Sequence, residues 1–593
     1  MKKMNKKLRA LLDCCLLVSV VILLSGCLPD FMQAKAEYSL AGLEENKPLM
    51  KEVSGFLEER AAAIDTAGKK DNDSAQKENY QEMQLREDLL GKLASSGYYD
   101  STVTYAAGAR PWTGTYTVNS GQRYKIRKVS VAPEKFKHFP VSRLQGRPLD
   151  AGTVLAVQEG LYNSIAKGRC FFNLAVDHEV TLDRKKKTAD ILFTVTAGPQ
   201  AKMGPVLFEG NERVKNSYLQ KLVDWKEGDC FRRENIENLR TALFESGLFA
   251  SAEMIVPEKL PKDGRVPVTL RVKERAARSL QAGVSYYTDE GLGLTLGWKH
   301  RNLFGAAESL DTGLKLSQNV QTLEARLTKP FFLRRDQSLS FTTNMAHEET
   351  DGYLRNGMDV SAAIKRAFSK SLSGSTGVSL SISEVKDDAT SETNNFYLLS
   401  LPQSLTYDKR NNVLDATKGF LLDGHLEPFF DAAGQSSSFL KTEISAQAYH
   451  AVSKKMTAAI RLKAGSILGP NTLDIPAPKR FYAGGGGSVR GFGYQEVGPQ
   501  RNGEPAGGRS VAEASVELRF RLTDTLGFVA FIDAGNVGNT SMLNLKRPSV
   551  GGGGGFRYYT DFAPLRLDVG VPLTNKETAS SGYQLYVSIG QAF

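Results

Sequence analysis

The sequence of 593 residues has few of the features that mark enzymes or helical membrane proteins. Only one apolar run approaches the length of a bilayer span, and the mean hydropathy is −0.30, so a polytopic helical membrane protein is excluded. The six histidines are scattered, and the sequence holds no HExxH, GxSxG or phosphate-loop motif. The run from Gly484 to Gly487 lacks the Lys-Ser/Thr pair of a Walker loop. We therefore expect a protein that is not an enzyme and that needs no cofactor.

The charge balance also excludes one class of partner. The formal net charge of +11 is modest for this length. Basic residues form no cluster with interleaved aromatic residues, so nucleic acid is not a predicted partner. The positive surplus favours contact with anionic lipid headgroups instead.

The N-terminus is typical of a secretory signal, with a basic region before an apolar core from Leu16 to Leu24. Two processing sites are compatible with this pattern. The sequence Leu24 to Cys27 resembles a bacterial lipobox, in which Cys27 would be acylated, whereas Ala34 to Ala36 is an ordinary A-x-A site. In both cases residues 1–36 form a signal peptide or lipobox region, and the rest of the chain is exported.

The chain has five cysteines, of which Cys14 and Cys15 fall within the signal. Apart from the candidate lipidation site, only Cys170 and Cys230 remain, and their spacing matches no zinc or redox motif. A disulfide between these two residues suits an oxidising compartment. Two buried free thiols are the alternative.

The region between Glu37 and Arg275 repeats a strand-helix-helix-strand-strand pattern of roughly 75 residues. We place the three repeats at 37–122, 123–199 and 200–276. Each second helix ends at a glycine that is followed by a strand, at Gly97, Gly168 and Gly247. Such a unit is a small sheet covered on one face by helices, and an open strand edge can bind an extended segment of another protein. The alternative is that the repeats are spacers.

From 277 to the C-terminus the period of apolar residues changes to two, as in Leu280, Ala282, Val284 and Tyr286. We count sixteen strands, and strands of nine to eleven tilted residues must close on themselves in lipid. The predicted fold class is thus α+β repeats followed by a 16-stranded antiparallel transmembrane β-barrel. A soluble β-sandwich is the alternative. The export signal and the final strand, which alternates up to the terminal Phe593, favour the barrel.

A closed barrel joins its first strand to its last, and here the joint is predicted to be weak. We place the first strand at 279–288 and the last at 582–593. Gly590 contributes no side-chain contacts near the end of the last strand. The residues Ser279, Tyr286, Gly590 and Phe593 therefore mark a predicted lateral seam whose hydrogen-bonding edges can be exposed.

A glycine-rich loop at about 468–509 joins strands eleven and twelve and carries a single central cation, Arg490. Glycines permit close backbone approach, so the loop can fold against the inner wall of the barrel. A cation buried there needs a carboxylate. Glu517 and Asp533, on the next two strands, are the candidates. The face on which Asp533 lies is ambiguous from the pattern, because it alternates with Val529 and Phe531.

Several of these motifs resemble a known family. The repeats, with the turn Phe208-Glu-Gly-Asn211, resemble POTRA domains, the periplasmic modules of outer-membrane assembly proteins. The Val489-Arg490-Gly491-Phe492 motif, Asp533 in Phe-x-Asp-x-Gly and the turn from Asp408 to Asn411 resemble the BamA/TamA superfamily. Three repeats rather than five resemble its TamA-like branch, the outer-membrane subunit of a translocation and assembly module.

The resemblance implies a lumen loop lock in which Arg490, Gly491 and Phe492 meet Glu517 and Asp533. It also implies that the protein inserts β-barrel proteins such as autotransporters through the lateral seam, from an outer membrane of Gram-negative type with the repeats in the periplasm. The implied partners are a TamB-like inner-membrane-anchored periplasmic protein, unfolded outer-membrane clients and outer-membrane lipids. The alternatives are a two-partner-secretion-type polypeptide transporter, a BamA-type general assembly factor and a passive porin.

Overall fold

The computed structural model describes residues 36–62, 74–110, 112–136, 141–288, 291–432, 434, 438–560, 564–589 and 591. The predictions for the signal region, for lipidation at Cys27, and for Gly590 and Phe593 lie outside these residues. No helix within the described ranges is long and apolar enough to cross a membrane. The chain divides into two compact units. The first runs to Gly204 and includes Glu227–Arg232 and Pro257–Val266; the second holds the remaining residues to the C-terminus.

The N-terminal region forms three sheets of three strands, which we call modules 1 to 3. In each sheet the strand that comes last in the chain lies between the other two, and in modules 1 and 2 it pairs parallel with the first strand. In sequence order the strands are Glu37–Ala41, Thr102–Ala107, Thr113–Asn119, Lys125–Ala132, Leu174–Asp183, Thr188–Ala197, Lys202–Glu209, Phe249–Ile255 and Arg265–Glu274. The helices are Lys47–Ala62, Ser74–Ser95, Ala151–Gly168, Asn216–Leu222 and Arg233–Glu245.

Module 2 differs from the predicted repeat. Among its described residues it has one α-helix, and the first predicted helix is replaced by the short 3-10 turns Glu134–Phe136 and Val141–Leu144. The sequence places Pro140 inside this segment, in addition to Pro133 and Pro148 at its ends. Proline lacks the backbone N–H that a helix interior requires, so a continuous helix is disfavoured here.

The C-terminal region is a closed antiparallel barrel in which each strand pairs with its neighbours in sequence. The predicted count of sixteen strands is confirmed. The strands are Arg278–Tyr287, Gly291–His300, Ser309–Leu316, Val320–Pro330, Gln337–Glu349, Tyr353–Ala367, Leu372–Asp387, Glu392–Ser400 continued by Gln403–Asp408, Gly419–Asp431, Phe439–Ser453, Met456–Leu468, Ser510–Arg521, Leu526–Gly538, Ser549–Tyr558, Leu565–Pro572 and Gln584–Ile589. The eighth strand is interrupted at Leu401 and Pro402 but keeps the same register on both sides of the break.

The two faces of the barrel wall differ in chemistry. Outward side chains such as Leu280, Ile444 and Leu462 are apolar and exposed, as expected of a surface that contacts lipid. Inward side chains on the later strands include buried polar residues such as Ser515 and Glu517. Period-two alternation along each strand produces this separation, and it directs the charged groups described next into the lumen.

Candidate functional site

The loop between the eleventh and twelfth barrel strands, residues 469–509, packs into the lumen against the wall. An apolar cluster of buried side chains surrounds it, including Phe429 and Phe439 from the wall and Phe481 and Phe492 from the loop. At its base the Arg480 guanidinium forms a 2.5 Å ion pair with Asp387 and donates hydrogen bonds to carbonyl oxygens of the loop itself. The loop is therefore a fixed part of the barrel interior.

Arg490 lies at the centre of this loop and is almost fully buried. Its Nε and Nη2 atoms donate to the two carboxylate oxygens of Asp533, at 2.6 Å and 2.9 Å. Its Nη1 atom donates to Glu517 at 2.6 Å and to Asp568 at 3.1 Å. The guanidinium carbon also lies 3.5 Å from the ring centroid of Phe531. Three carboxylates and an aromatic face thus surround one cation.

The structure resolves the ambiguous face of Asp533. This residue is 1% exposed and faces the lumen, whereas the next residue towards the N-terminus, Ile532, faces outward and is 48% exposed. Val529 and Phe531 share the inward face with Asp533. They can be apolar there because the lumen loop covers this part of the wall with apolar groups. The alternation alone did not reveal this, since it cannot distinguish a lipid-facing apolar row from an apolar row under a loop.

Sequence reasoning missed the third carboxylate and its cationic neighbours. Asp568, on the fifteenth strand, binds Arg490 and also forms ion pairs with Arg557 and Arg566. Arg519 pairs with Glu517 at 2.8 Å. The sequence pattern did indicate the inward face of Asp568, because a charged residue that alternates with outward Leu565, Leu567 and Val569 must face the lumen.

Glycines on the neighbouring strands allow this close approach. A Cβ atom on Gly551 would lie 1.8 Å from the carbonyl oxygen of Arg490, and one on Gly555 would lie 1.9 Å from Asp568 Oδ1. Gly491 itself has φ of +101°, a left-handed conformation that favours glycine. The glycine run of the fourteenth strand therefore forms a flat wall against which the loop backbone lies.

Tyr586 connects the loop to the last barrel strand. Its hydroxyl accepts a hydrogen bond from the backbone N–H of Gly491 at 3.2 Å and donates one to the carbonyl oxygen of Phe492 at 3.3 Å. Its ring lies 5.9 Å from that of Tyr287 on the first strand. One side chain thus contacts the lumen loop and both sides of the barrel closure.

The closure itself is short. Among the described residues, the first and last strands pair at two positions, Tyr286 with Val587 and Tyr287 with Tyr586. Thr288 extends the contact, with its N–H donating to the Leu585 carbonyl oxygen at 3.1 Å. The sixth and seventh strands, by contrast, pair continuously from Tyr353 with Asp387 to Ala367 with Ser373.

Below this contact the last strand leaves the first. The Gln591 side chain accepts a hydrogen bond from Arg557 at 2.9 Å and donates one to Asp415 at 3.0 Å, in the turn between the eighth and ninth strands. The side chain of Gln591 therefore binds residues of the fourteenth strand and of a turn, and not residues of the first strand. Ser279, near the start of the first strand, has no partner on the last strand among the described residues, and its hydroxyl instead accepts a hydrogen bond from Arg301.

The two remaining cysteines lie in the first compact unit. Cys170 and Cys230 form a disulfide with an S–S distance of 2.17 Å. Cys170 follows the helix of module 2, and Cys230 lies in the turn before the second helix of module 3. The bridge joins these two modules, and the backbone around it is linked by a hydrogen bond from Ala201 N–H to the Cys170 carbonyl oxygen.

Comparison with known proteins identifies the family. Residues 302–593 match the Omp85 superfamily domain, and residues 201–275 match the surface antigen variable number repeat, the POTRA family. The chain belongs to the Omp85 superfamily. As an Omp85 protein it is an outer-membrane barrel with POTRA modules in the periplasm.

Similar proteins agree with this assignment. The outer membrane protein assembly factor BamA of Nitratidesulfovibrio vulgaris is 22% identical over 505 residues, which cover 81% of this chain and 63% of that protein. A SAM50-like protein of Schizosaccharomyces pombe is 25% identical over 356 residues, covering 55% of this chain and 75% of that protein. This Omp85 chain thus spans less than two thirds of the length of the first relative.

A solved structure supports the fold. The crystal structure of BamA from Haemophilus ducreyi lacking POTRA domains 1–3 superimposes with a TM-score of 0.65 at 17% identity, covering 79% of this chain and all of that one. The comparisons support the superfamily predicted from the sequence motifs, and they do not support its TamA-like branch in particular.

Proposed function

We propose that this Omp85 protein folds and inserts other β-barrel proteins into the outer membrane, as a general assembly factor of the BamA type. The observation that carries the proposal is the short closure between the first and last strands. Among the described residues of the first strand, Tyr286 and Tyr287 pair there, and Gln591, beyond the last strand, binds Asp415 instead of the first strand. The names of the relatives support the same activity.

The energetics favour opening at this place. Separating the two strands breaks a few backbone hydrogen bonds, each with a net value of about 1 kcal/mol. Opening any fully paired neighbouring pair of strands would break many more. The exposed edge of the first strand, from Arg278 to Ser285, can then pair with an incoming client strand by β-augmentation. The process needs no enzyme chemistry, because the client's own hydrogen bonding and burial in lipid drive it.

A cross-link across the closure tests the proposal. Tyr286→Cys with Val587→Cys, oxidised in the reconstituted full chain, should stop insertion of an unfolded client barrel into vesicles, and reduction should restore it. The control is Val360→Cys with Leu380→Cys, at a paired position of the sixth and seventh strands. Both variants keep the Cys170–Cys230 bridge, so reduction affects that bridge equally. Full insertion by the oxidised seam variant would refute the proposal.

The role in a translocation and assembly module, with a TamB-like partner and autotransporter clients, is the narrower candidate. The observation that favours it is the set of three modules between Glu37 and Glu274. Quantification of the outer-membrane proteome after deletion of the gene separates the two roles. A loss confined to autotransporters would favour the narrower role, whereas loss across many barrel families supports the BamA type.

The polypeptide-transporter alternative has less support from the barrel interior. The lumen holds the loop 469–509, and Arg490 fixes that loop to the twelfth, thirteenth and fifteenth strands. A polypeptide crossing the lumen would need to displace this buried ion-pair cluster. A route along the seam leaves the cluster intact.

A further inference from the structure

A cavity of about 430 Å³ lies where the last strand of module 3 continues into the first barrel strand. Its lining is strongly cationic. The lining holds one carboxylate, Glu274, and four arginines, Arg213, Arg275, Arg278 and Arg301. Four positive charges and one negative charge give the lining a net charge of +3. A cavity of this charge attracts anions.

The one acidic residue is already neutralised within the protein. Glu274 Oε1 accepts hydrogen bonds from the N–H groups of Glu212, Arg213 and Val214, at 3.0, 2.8 and 2.8 Å. Its Oε2 atom accepts another from Arg213 Nε at 3.1 Å. Burial raises the pKa of Glu274, but these N–H donors outweigh that effect and hold the pKa below its usual value. Glu274 therefore stays charged and pairs with Arg213, and the other arginines remain uncompensated.

Two of those arginines are free to bind a ligand. Arg301 donates to Ser279 Oγ at 3.0 Å and to the Ala276 carbonyl oxygen at 3.3 Å. Arg275 and Arg278 are exposed, and neither guanidinium has a hydrogen bond or ion pair with another described residue. Like charges that line one cavity repel one another, and an anion bound among them would reduce this repulsion.

The position of the cavity relative to the membrane identifies the anion. Arg278 pairs with His300 across the first hairpin, and the next outward pair is Leu280 with Trp298. Leu280 is 83% exposed on the lipid-facing side, and tryptophan is enriched at the boundary between hydrocarbon and headgroups. Arg278 lies two residues beyond that level, about 7 Å along the strand. This is the depth of the lipid headgroups in the periplasmic leaflet.

We propose that this cavity binds the phosphate headgroup of an anionic glycerophospholipid of the periplasmic leaflet, through Arg275, Arg278 and Arg301. The inference goes beyond the proposed function, because it assigns a lipid ligand to the junction of module 3 and the barrel. Arginine suits this role, since its planar fork of donors matches a phosphate. The bound lipid lies at the base of the first barrel strand, the strand whose edge forms the seam.

The test measures lipid binding by the full-length chain in detergent micelles, with phosphatidylglycerol and phosphatidylcholine titrated separately and the retained lipid recorded by native mass spectrometry. The variant is Arg275→Gln with Arg278→Gln. Each basic residue near an anionic lipid contributes about fivefold to affinity, so we expect roughly 30-fold weaker binding of phosphatidylglycerol and no change for phosphatidylcholine.

Three matched measurements complete the design. Lys546→Gln with Arg547→Gln removes the same charge from the exposed loop between the thirteenth and fourteenth strands and should bind phosphatidylglycerol like the native chain. Arg275→Lys with Arg278→Lys keeps the charge and should retain most of the binding. Inorganic phosphate, titrated alone, should bind far more weakly than the lipid, because it lacks the acyl chains that fix the headgroup at this depth.

Several results would overturn the proposal. One is equal affinity for the two lipids. Another is a loss of phosphatidylglycerol binding in the loop control as large as that in Arg275→Gln with Arg278→Gln. A third is phosphate binding as tight as that of phosphatidylglycerol, with the same dependence on Arg275 and Arg278. Displacement of the lipid by a short peptide ending in a phenylalanine carboxylate would assign the cavity to a client terminus instead.

Discussion

Removal of Arg490 should destabilise the barrel by several kcal/mol, because it leaves buried carboxylates without their cation. The side chains of Arg490 and Asp533 are 2% and 0% exposed. Every hydrogen bond that Asp533 accepts from a described side chain comes from Arg490, and the Arg490 backbone N–H adds another at 3.1 Å. Glu517 and Asp568 keep other arginine partners, so Asp533 carries most of the cost.

Breaking a buried ion pair by removal of one partner costs about 3–5 kcal/mol, and we expect this for Arg490→Met. Asp533→Asn leaves Arg490 with two carboxylates and should cost about 1–2 kcal/mol. In the double variant no unpaired carboxylate remains at position 533. The loss of unfolding free energy in the double variant should therefore be about 2 kcal/mol smaller than the sum of the losses in the two single variants.

The assay is urea unfolding of the full chain in lipid vesicles. The readout is the difference in electrophoretic mobility between folded and unfolded barrels in samples that are not heated before the gel. The control cycle uses Arg326→Gln and Glu324→Gln, an ion pair whose side chains are 51% and 44% exposed. Exposed pairs contribute about 0–1 kcal/mol. A coupling energy for Arg490 and Asp533 no larger than that of the control pair would refute the buried lock.

Three further predictions concern the wall, the last strand and the modules. Gly551→Ala places a methyl group 1.8 Å from the Arg490 carbonyl oxygen, so the loop must shift and the ion conductance of the reconstituted barrel should rise. Gly552→Ala, which faces outward and meets only a flexible leucine end at 3.0 Å, should conduct like the native chain, and equal conductance of the two variants would contradict the reasoning. Tyr586→Phe removes the hydroxyl that joins loop and last strand, at a cost of about 1 kcal/mol, and should speed hydrogen exchange of the last strand; unchanged exchange would oppose this role. The hydrogen bond from Lys187, 2.6 Å away, lowers the pKa of Asp100, so its stabilising effect is present above about pH 4 and is lost as pH falls below that range. Limited proteolysis of the full chain should show that acid-dependent opening of the modules is weaker in Asp100→Asn, and identical pH profiles would exclude the pair as its cause.

The barrel was predictable because its strands obey a simple period over long stretches. Alternation at Leu280, Ala282, Val284 and Tyr286 continues through all sixteen strands, and the loop at 469–509 interrupts it between strands eleven and twelve. Lipid forces the outward rows to be apolar and thus makes them visible in the sequence. Charged residues between those rows must face inward, which directed attention to Glu517.

The parts that escaped prediction depend on the chain's path in three dimensions. Asp568 joins the cluster because the lumen loop reaches the fifteenth strand, and no spacing in the sequence encodes that distance. The contact of Tyr586 with Gly491 has the same origin. The helix that module 2 lacks among its described residues reflects local chemistry, since the sequence places Pro140 inside the segment where the repeat pattern alone favours a helix.

The contact through Tyr586 has a consequence for how the seam and the lumen loop act together. The last strand contacts the first strand through two paired residues and Thr288, and it contacts the loop through the Tyr586 hydroxyl. On its other side it pairs with the fifteenth strand from Gln584 to Ile589. Under the proposed function, a client strand that pairs along the edge from Arg278 to Ser285 would form more hydrogen bonds than the closure loses. Among the described residues, the ion pairs of Arg490 reach the twelfth, thirteenth and fifteenth strands. Arg557, which pairs with Asp568, also donates a hydrogen bond to Gln591 beyond the last strand. If the seam opens as proposed, we therefore expect the Arg490 ion pairs to hold the twelfth, thirteenth and fifteenth strands in place while the contacts of the last strand with the first strand break.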